Sequence, residues 1–281
     1  MNPTSNPVEW FWTGHTVRDK PFNSAAESLA YLEWRASVYP LFHELMGMWG
    51  DHSHHTVLDY GCGPANDMVG FLAHGHAREV IGMDVSTTAL ELARRRLALH
   101  GFAQPYSLRK VSDLLPVIPL PDRSVDFIYC EGVLHHTSHP AEIVAEFRRV
   151  LRRGGEARIM VYNYDSLFLH RYIAYERQLV QGIDADVPIE EAFRKSIDGG
   201  NAPISRAYQP AEFMDLCAGA GFDVEFRGGY FDARRELTMP RDVPSELAPE
   251  HRAFLEALTD EPLPRYGGMP AGLGGVYWLH R

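Results

Sequence analysis

The sequence predicts an α/β protein built on a doubly wound, mostly parallel sheet. Short apolar runs alternate with amphipathic stretches at helical spacing. The first run closes on a glycine-rich turn, Gly61-Cys62-Gly63, and the second ends on an acid, Asp84. Open sheets of this kind bind ligands at the carboxyl ends of their strands, where both features fall.

The elements follow in order. Residues 1–23 hold three prolines, two tryptophans and two phenylalanines and read as an irregular aromatic arm. Residues 24–49 read as helical, with Ser24 and Glu27 spaced as a capping box and Pro40 splitting the run. TVLDY (56–60) and VIGMD (80–84) read as strands. The stretch after Ser86 puts Leu90, Ala93 and Leu97 on one helix face and stops at Gly101. VDFIYC (125–130) is a third strand. A helix from Pro140 is expected to run to Gly154-Gly155, before a fourth strand at 156–163. Residues 164–206, rich in Tyr, Arg and His, read as a helical insertion. A helix after Pro210, a strand at DVEFR, a short helical stretch at 249–258 and a last strand at GGVYWLHR complete the chain. The expected organisation is an N-terminal arm with helices over 1–50, acting as a lid, and a main domain over 51–281 with a cap-like insertion at 164–206.

At 281 residues, with 45% hydrophobic and 23% charged residues, the chain has ordinary globular composition, which excludes disorder and collagen-like repeats. A formal charge of −10 argues against a general nucleic-acid binder. Cys62, Cys130 and Cys217 are odd in number and lack CxxC spacing, which disfavours a disulfide scaffold or zinc ribbon and suits a reducing cytoplasm. No apolar run approaches the ~20 residues of a membrane span. The N-terminus does not read as a signal peptide.

Asp59, Gly61 and Gly63 form the turn after the first strand. Glycines let a ligand approach the backbone. Asp84 is an acceptor-only carboxylate placed for two ribose hydroxyls. The dinucleotide fingerprint needs a third glycine where Asn66 stands, and Asp59 would repel a pyrophosphate. The same acid attracts the ammonium and sulfonium of S-adenosylmethionine (SAM), so the charge favours SAM over a nicotinamide cofactor.

VLDYGCGPA, VIGMDVS and PLPDRSVDFIYCEGVLHHTSHPAEIVAEFRRVLRRGGEARIMVYN together resemble the class I SAM-dependent methyltransferases. They resemble most the small-molecule group typified by ubiquinone/menaquinone-biosynthesis methyltransferases. The resemblance covers about 56–163, with a weaker echo at 207–227. It implies a Rossmann-like, seven-stranded sheet whose last strand is antiparallel, formed here by GGVYWLHR. It implies SAM as cofactor, with S-adenosylhomocysteine as product, held by Asp59, Gly61, Cys62, Gly63, Asp84 and Val85. Asp113, before Leu114, is similar to the acid that contacts the adenine amino group.

Glu131 follows the strand that lines the methyl-donor pocket in the family. His135 and His136 have the titration range of a general base, and histidines at this place also simply pack. Arg35 is a candidate for the SAM carboxylate, or pairs with Glu33 or Glu44. Trp10, Phe11 and Trp12 form either an aromatic lid over substrate or a strap on the core. In the insertion, Tyr164, His170, Arg171, Tyr175 and Arg206 are candidate substrate contacts, and the two arginines among them favour an anionic acceptor. His52, His54 and His55 lack the accompanying ligands of a metal site. The expected enzyme is a soluble monomer or homodimer that methylates an O, N or C nucleophile of a small molecule, with no nucleic-acid or membrane partner. A nicotinamide-dependent oxidoreductase and a non-catalytic SAM-binding protein are the alternatives.

Overall fold

Three helices precede the sheet in the computed structural model, which describes residues 6–18, 20–260 and 262–281. Residues 1–5 of the expected arm lie outside the described residues. Helix α1 (Pro7–Gly14) is capped by the Asn6 side chain, which accepts from Val8 N and Glu9 N. Helix α2 (Ala25–Val38) starts at Ser24, whose hydroxyl accepts from Glu27 N at 3.1 Å. The Glu27 carboxylate reaches back to Asn23 N, one residue beyond the reciprocal partner of a capping box. Pro40 ends α2 as expected: Tyr39 leaves the helical region, and α3 (Phe42–Met46) starts a separate short helix.

The α/β alternation then runs β1 (Thr56–Tyr60), α4 (Asn66–Ala73), β2 (Glu79–Asp84), α5 (Thr87–His100), β3 (Tyr106–Lys110), β4 (Val125–Glu131), α6 (Pro140–Val150) and β5 (Leu151–Asn163). Ser86 caps α5 through Ala89 N, and Gly101 closes it in the left-handed conformation. Strand β3 was not anticipated. Helix α6 is shorter and β5 longer than the sequence suggests. Leu151 is already extended, and Gly154-Gly155 fall in a register shift between β4 and β5 rather than at a helix stop.

The insertion forms a π-helix over Phe168–Val180, α7 (Ile189–Ser196) and β6 (Ala207–Tyr208). Then come α8 (Pro210–Gly219), β7 (Asp223–Tyr230), α9 (Pro249–Glu256), a small pair β8 (Arg265–Tyr266) and β9 (Met269–Pro270), and β10 (Gly274–His280).

The main strand order is β3-β2-β1-β4-β5-β10-β7, with β6 pairing off β5. Strands β1 to β5 are parallel to one another, and β10 is antiparallel to both β5 and β7. The expected antiparallel strand is thus GGVYWLHR, lodged between two others. Ile128, Phe147, Ile159 and Tyr277 belong to one buried core, and Phe71, Leu97, Tyr129 and Val276 to another. Leu32, Phe42 and Met46 share that second core, so α2 and α3 pack directly on the sheet layers. Among the described residues no helix is long and apolar enough to cross a membrane.

Candidate active site

The strand order reverses between β1 and β4, and a cavity of about 440 Å³ opens at the carboxyl ends there. The turn after β1 is shaped by two glycines with positive φ, Gly61 at 81° and Gly63 at 51°. A side chain on Gly61 would run into Val133, whereas a Cβ on Gly63 would meet nothing within 4 Å. The turn therefore packs on one side and stays open on the other. Asp84, at the end of β2, braces it by accepting from Gly63 N at 2.8 Å and Ser86 N at 2.7 Å. Gly61, Cys62, Gly63, Asp84 and Val85 line the cavity together, whereas Asp59 is buried next to Tyr60 and does not line it.

Asp59 is 2% exposed, and one carboxylate oxygen has no hydrogen-bond partner among the described residues. Burial holds its carboxyl well above the usual range, reinforced by Asp67, Glu131 and Asp84 and opposed by Arg35. Arg35 is the buried cation of this group. It donates to Asp67 at 2.7 Å and lies 3.4 Å from Glu131, with its guanidinium 4.7 Å from the Phe42 ring centroid. Glu33 and Glu44 are not its partners. Glu131 also accepts from the Tyr230 hydroxyl at 2.8 Å. Its carboxyl is raised by burial, with Arg35 pulling the other way.

This acid-rich pocket fits a cofactor that brings positive charge. An unpaired buried carboxylate oxygen calls for a cation or donor, and an open glycine turn admits a ligand against the backbone. Asp113 lines the same cavity, but four donors already occupy its oxygens: Thr137 Oγ1, Ser138 N, Ser138 Oγ and Asn6 Nδ2. Burial would raise this carboxyl, yet the Ser138 and Thr137 bonds bring it below its usual value. An adenine amino group arriving there competes with the Asn6 amide. Leu114 is 60% exposed and does not line the cavity.

Helix α1 covers this end. Glu9 accepts from Ser112 Oγ at 2.5 Å and from Asp113 N at 3.0 Å. Trp12 lines the cavity, its ring 4.7 Å from that of His136, whereas Trp10 is 60% exposed and Phe11 is buried. Lid and strap are thus divided among neighbouring residues of one helix.

The two histidines part company. His135 is buried off the cavity between the rings of His136 and Tyr162, with neither nitrogen bonded, and burial pushes it well below its ordinary value. His136 lines the cavity. Its Nδ1 lies 2.8 Å from Ile204 O and its Nε2 3.4 Å from Asp198. Burial lowers His136, partly offset by Asp198.

Tyr164, His170, Arg171, Tyr175 and Arg206 do not line the cavity. The π-helix turns its polar buried side toward α9 and the 231–247 segment instead. His170 meets His251 at 2.9 Å and stacks on Phe254, and burial lowers it to about 3. Arg171 is held by Asp242 and Pro240 O and covers the Tyr175 ring. Tyr164 packs edge-on to His170, and Arg206 reaches Tyr208. The argument for an anionic acceptor from Arg171 and Arg206 therefore lapses. The insertion reaches the cavity through Ile197 and Asp198 instead. Sequence reasoning also passed over Tyr39, Asp67, Tyr162, Tyr230 and Asp232. Tyr162 and Tyr230 carried a usable signal, since both stand at carboxyl ends of strands. Among the described residues no group of three or more His, Cys, Asp or Glu is placed to hold a metal.

Fold and cavity together set an open glycine turn and a strand-end acid, Asp84, at the switch point of an open sheet. Residues 58–159 match the family model of the methyltransferase domain. A 37.1 kDa uncharacterized protein in transposon TN4556 of Streptomyces fradiae is 33% identical over 193 residues, 63% of this chain and 54% of that protein. The chain thus spans about half the length of that relative. Trans-aconitate 2-methyltransferase of Methylobacterium radiotolerans is 27% identical over 81% of this chain and 88% of its own. The fold is shared with a SAM-dependent methyltransferase from Mesorhizobium loti, with a TM-score of 0.55 and 18% identity over 86% of this chain and 97% of that one. Residues 58–159 thus resemble a methyltransferase domain, set in a fold shared with SAM-dependent methyltransferases.

Proposed function

We propose that the protein transfers a methyl group from SAM to an O, N or C nucleophile of a small molecule, in the cytoplasm, as a monomer or homodimer. The observation that carries this reading is the buried, unpartnered oxygen of Asp59 behind the Gly61–Gly63 turn, beside a cavity of about 440 Å³. Asp59, Asp84 and the glycine turn hold the cofactor, with Val85 and Asp113 beside its base and Arg35 set between Asp67 and Glu131 for its amino-acid end. When bound, SAM supplies an already activated sulfonium methyl, so the protein's work is positioning and exclusion of water. Trp12 and α1 close the site from one side. A nicotinamide cofactor is disfavoured because its pyrophosphate would face Asp59, Asp67 and Glu131. The acceptor of the Methylobacterium relative, trans-aconitate, is disfavoured by the same acids. A non-catalytic SAM-binding role leaves the second half of the cavity without a use.

Calorimetric titration with S-adenosylhomocysteine, NAD and NADP tests the reading. Micromolar binding of S-adenosylhomocysteine alone is expected. Tight nicotinamide binding with no response to S-adenosylhomocysteine would overturn it.

A further inference from the structure

The cavity has two halves set by strand order. Gly61, Gly63 and Asp84 belong to β1 and β2 on one side of the switch point, and Tyr162, Tyr230 and Asp232 to β5 and β7 on the other. The second half is lined by the rings of Tyr162 and Tyr230, with the exposed Arg235 also in its lining. Its carboxylates differ in how they are paired. Glu131 shares Arg35 with Asp67, and Asp232 has Arg234 beside it at 3.6 Å. Asp198 has no Lys or Arg within 4 Å among the described residues.

Asp198 is also held with unusual care. Its backbone lies in the left-handed region, φ 54°, which few non-glycine residues adopt and which clusters at functional sites. Three elements converge on its side chain. Tyr162 of β5 donates to Oδ1 at 2.9 Å, Ser205 donates to Oδ2 at 3.1 Å, and His136 Nε2 stands 3.4 Å from Oδ2. A carboxylate offers about four acceptor sites, so Oδ1 retains one for a ligand.

Resting on the methyltransferase reading, we propose that the acceptor is an amine, bound as its ammonium by the Asp198 carboxylate among the aromatic faces of Trp12, Tyr39, Tyr162 and Tyr230. Aromatic faces and an unpaired carboxylate are together the chemistry that recognises an organic cation. Before transfer, the ammonium gives one proton to the Asp198–His136 pair. The neutral imidazole donates Nδ1–H to Ile204 O and so presents a lone pair at Nε2 to Asp198, a contact that a proton makes favourable. The amine lone pair then forms the N–C bond, the C–S bond breaks, and its electrons return to sulfur. The products are S-adenosylhomocysteine and an N-methylammonium, again a cation facing Asp198.

The test uses the whole protein saturated with S-adenosylhomocysteine and follows the part of its tryptophan fluorescence that Trp12→Phe removes, on adding phenethylamine, 3-phenylpropionate or 4-ethylphenol. Radiolabelled methyl transfer from SAM to the same three compounds is measured in parallel. The expected result is saturable binding and labelling of the amine, at least tenfold better than the carboxylate or the phenol. Asp198→Asn, a residue that tolerates the same backbone, should weaken the amine at least tenfold while S-adenosylhomocysteine binds within twofold of wild type. Preference for the carboxylate or the phenol, no amine response up to millimolar concentration, or an amine response unchanged in Asp198→Asn would each overturn the proposal. Failure to bind S-adenosylhomocysteine would instead overturn the methyltransferase reading beneath it.

Discussion

Tyr230 donates its hydroxyl to Glu131 at 2.8 Å and so joins the end of β7 to the end of β4. Two strands lie between them in the sheet, so the bond spans the cavity mouth rather than a ladder. Tyr230→Phe leaves a buried carboxylate oxygen without its donor, a loss of about 1–3 kcal/mol. Chemical denaturation should show that loss, and a variant as stable as wild type would contradict it.

Asp84 braces the glycine turn through two backbone donors. Asp84→Ala should weaken S-adenosylhomocysteine at least tenfold, ~1.4 kcal/mol. Calorimetry on both proteins measures it, and equal affinity would remove Asp84 from the cofactor site.

The two glycines of that turn should respond differently. Gly61→Ala combines a positive φ with a collision against Val133 and should cost about 2–4 kcal/mol of stability. Gly63→Ala meets no neighbour and should cost only about 1 kcal/mol. Its methyl occupies ligand space, so cofactor affinity should fall more than stability. Thermal melts with S-adenosylhomocysteine titrations separate the two, and the reverse ranking would contradict this geometry.

Glu236 is fully buried, accepts from Asp232 N at 2.8 Å, and is pushed by burial from its ordinary 4.5 to about 8. A carboxyl raised in the fold holds its proton more tightly there than in the unfolded chain. Its stabilising share is full below pH 4.5 and is lost as pH climbs through 8. Glu236→Gln keeps an acceptor for Asp232 N and removes that titration. It should match wild type near pH 5 and exceed it by about 3–5 kcal/mol near pH 8.5. Unfolding curves at the two pH values with the same difference between the proteins would refute this.

Helix α1 is pinned to the Ser112–Asp113 loop by Glu9, with a second bond from its cap residue Asn6 to Asp113. Glu9→Ala should raise hydrogen exchange across α1 about tenfold or more while β1 and β4 keep wild-type protection. Unchanged exchange in α1 would place its anchoring elsewhere, at Trp12 or Asn6.

The sheet was largely legible because β1, β2, β4 and β5 are apolar runs that read the same from either face. Strand β3, YSLRK, was not, since an edge strand with exposed Tyr106, Arg109 and Lys110 lacks that signature. The cofactor half of the site was legible because its residues sit in two short stretches of fixed spacing. The acceptor half was not. Tyr39, Tyr162, Asp198, and Tyr230 with Asp232 come from four separate segments, and only the packed fold brings them to one wall. In the insertion, composition marked Arg171 and His170 as polar without revealing their direction. Asp242 and His251, some seventy to eighty residues away, claim them instead.

The lodging of β10 between β5 and β7 bears on how the molecule comes into being. Val161 of β5 meets Gly275, more than a hundred residues further along, and closing so long a loop is slow. Strands β1 to β4 can pair as they leave the ribosome, whereas β7 has nothing to lie against until β10 has been synthesised. A nascent chain halted before residue 274 would have the glycine turn and Asp84 in place, while the end of β7 that leads to Tyr230 and Asp232 would still lack its pairing strand. On this topology the wall that carries Tyr162, Tyr230 and Asp232 is the last part of the cavity to be completed.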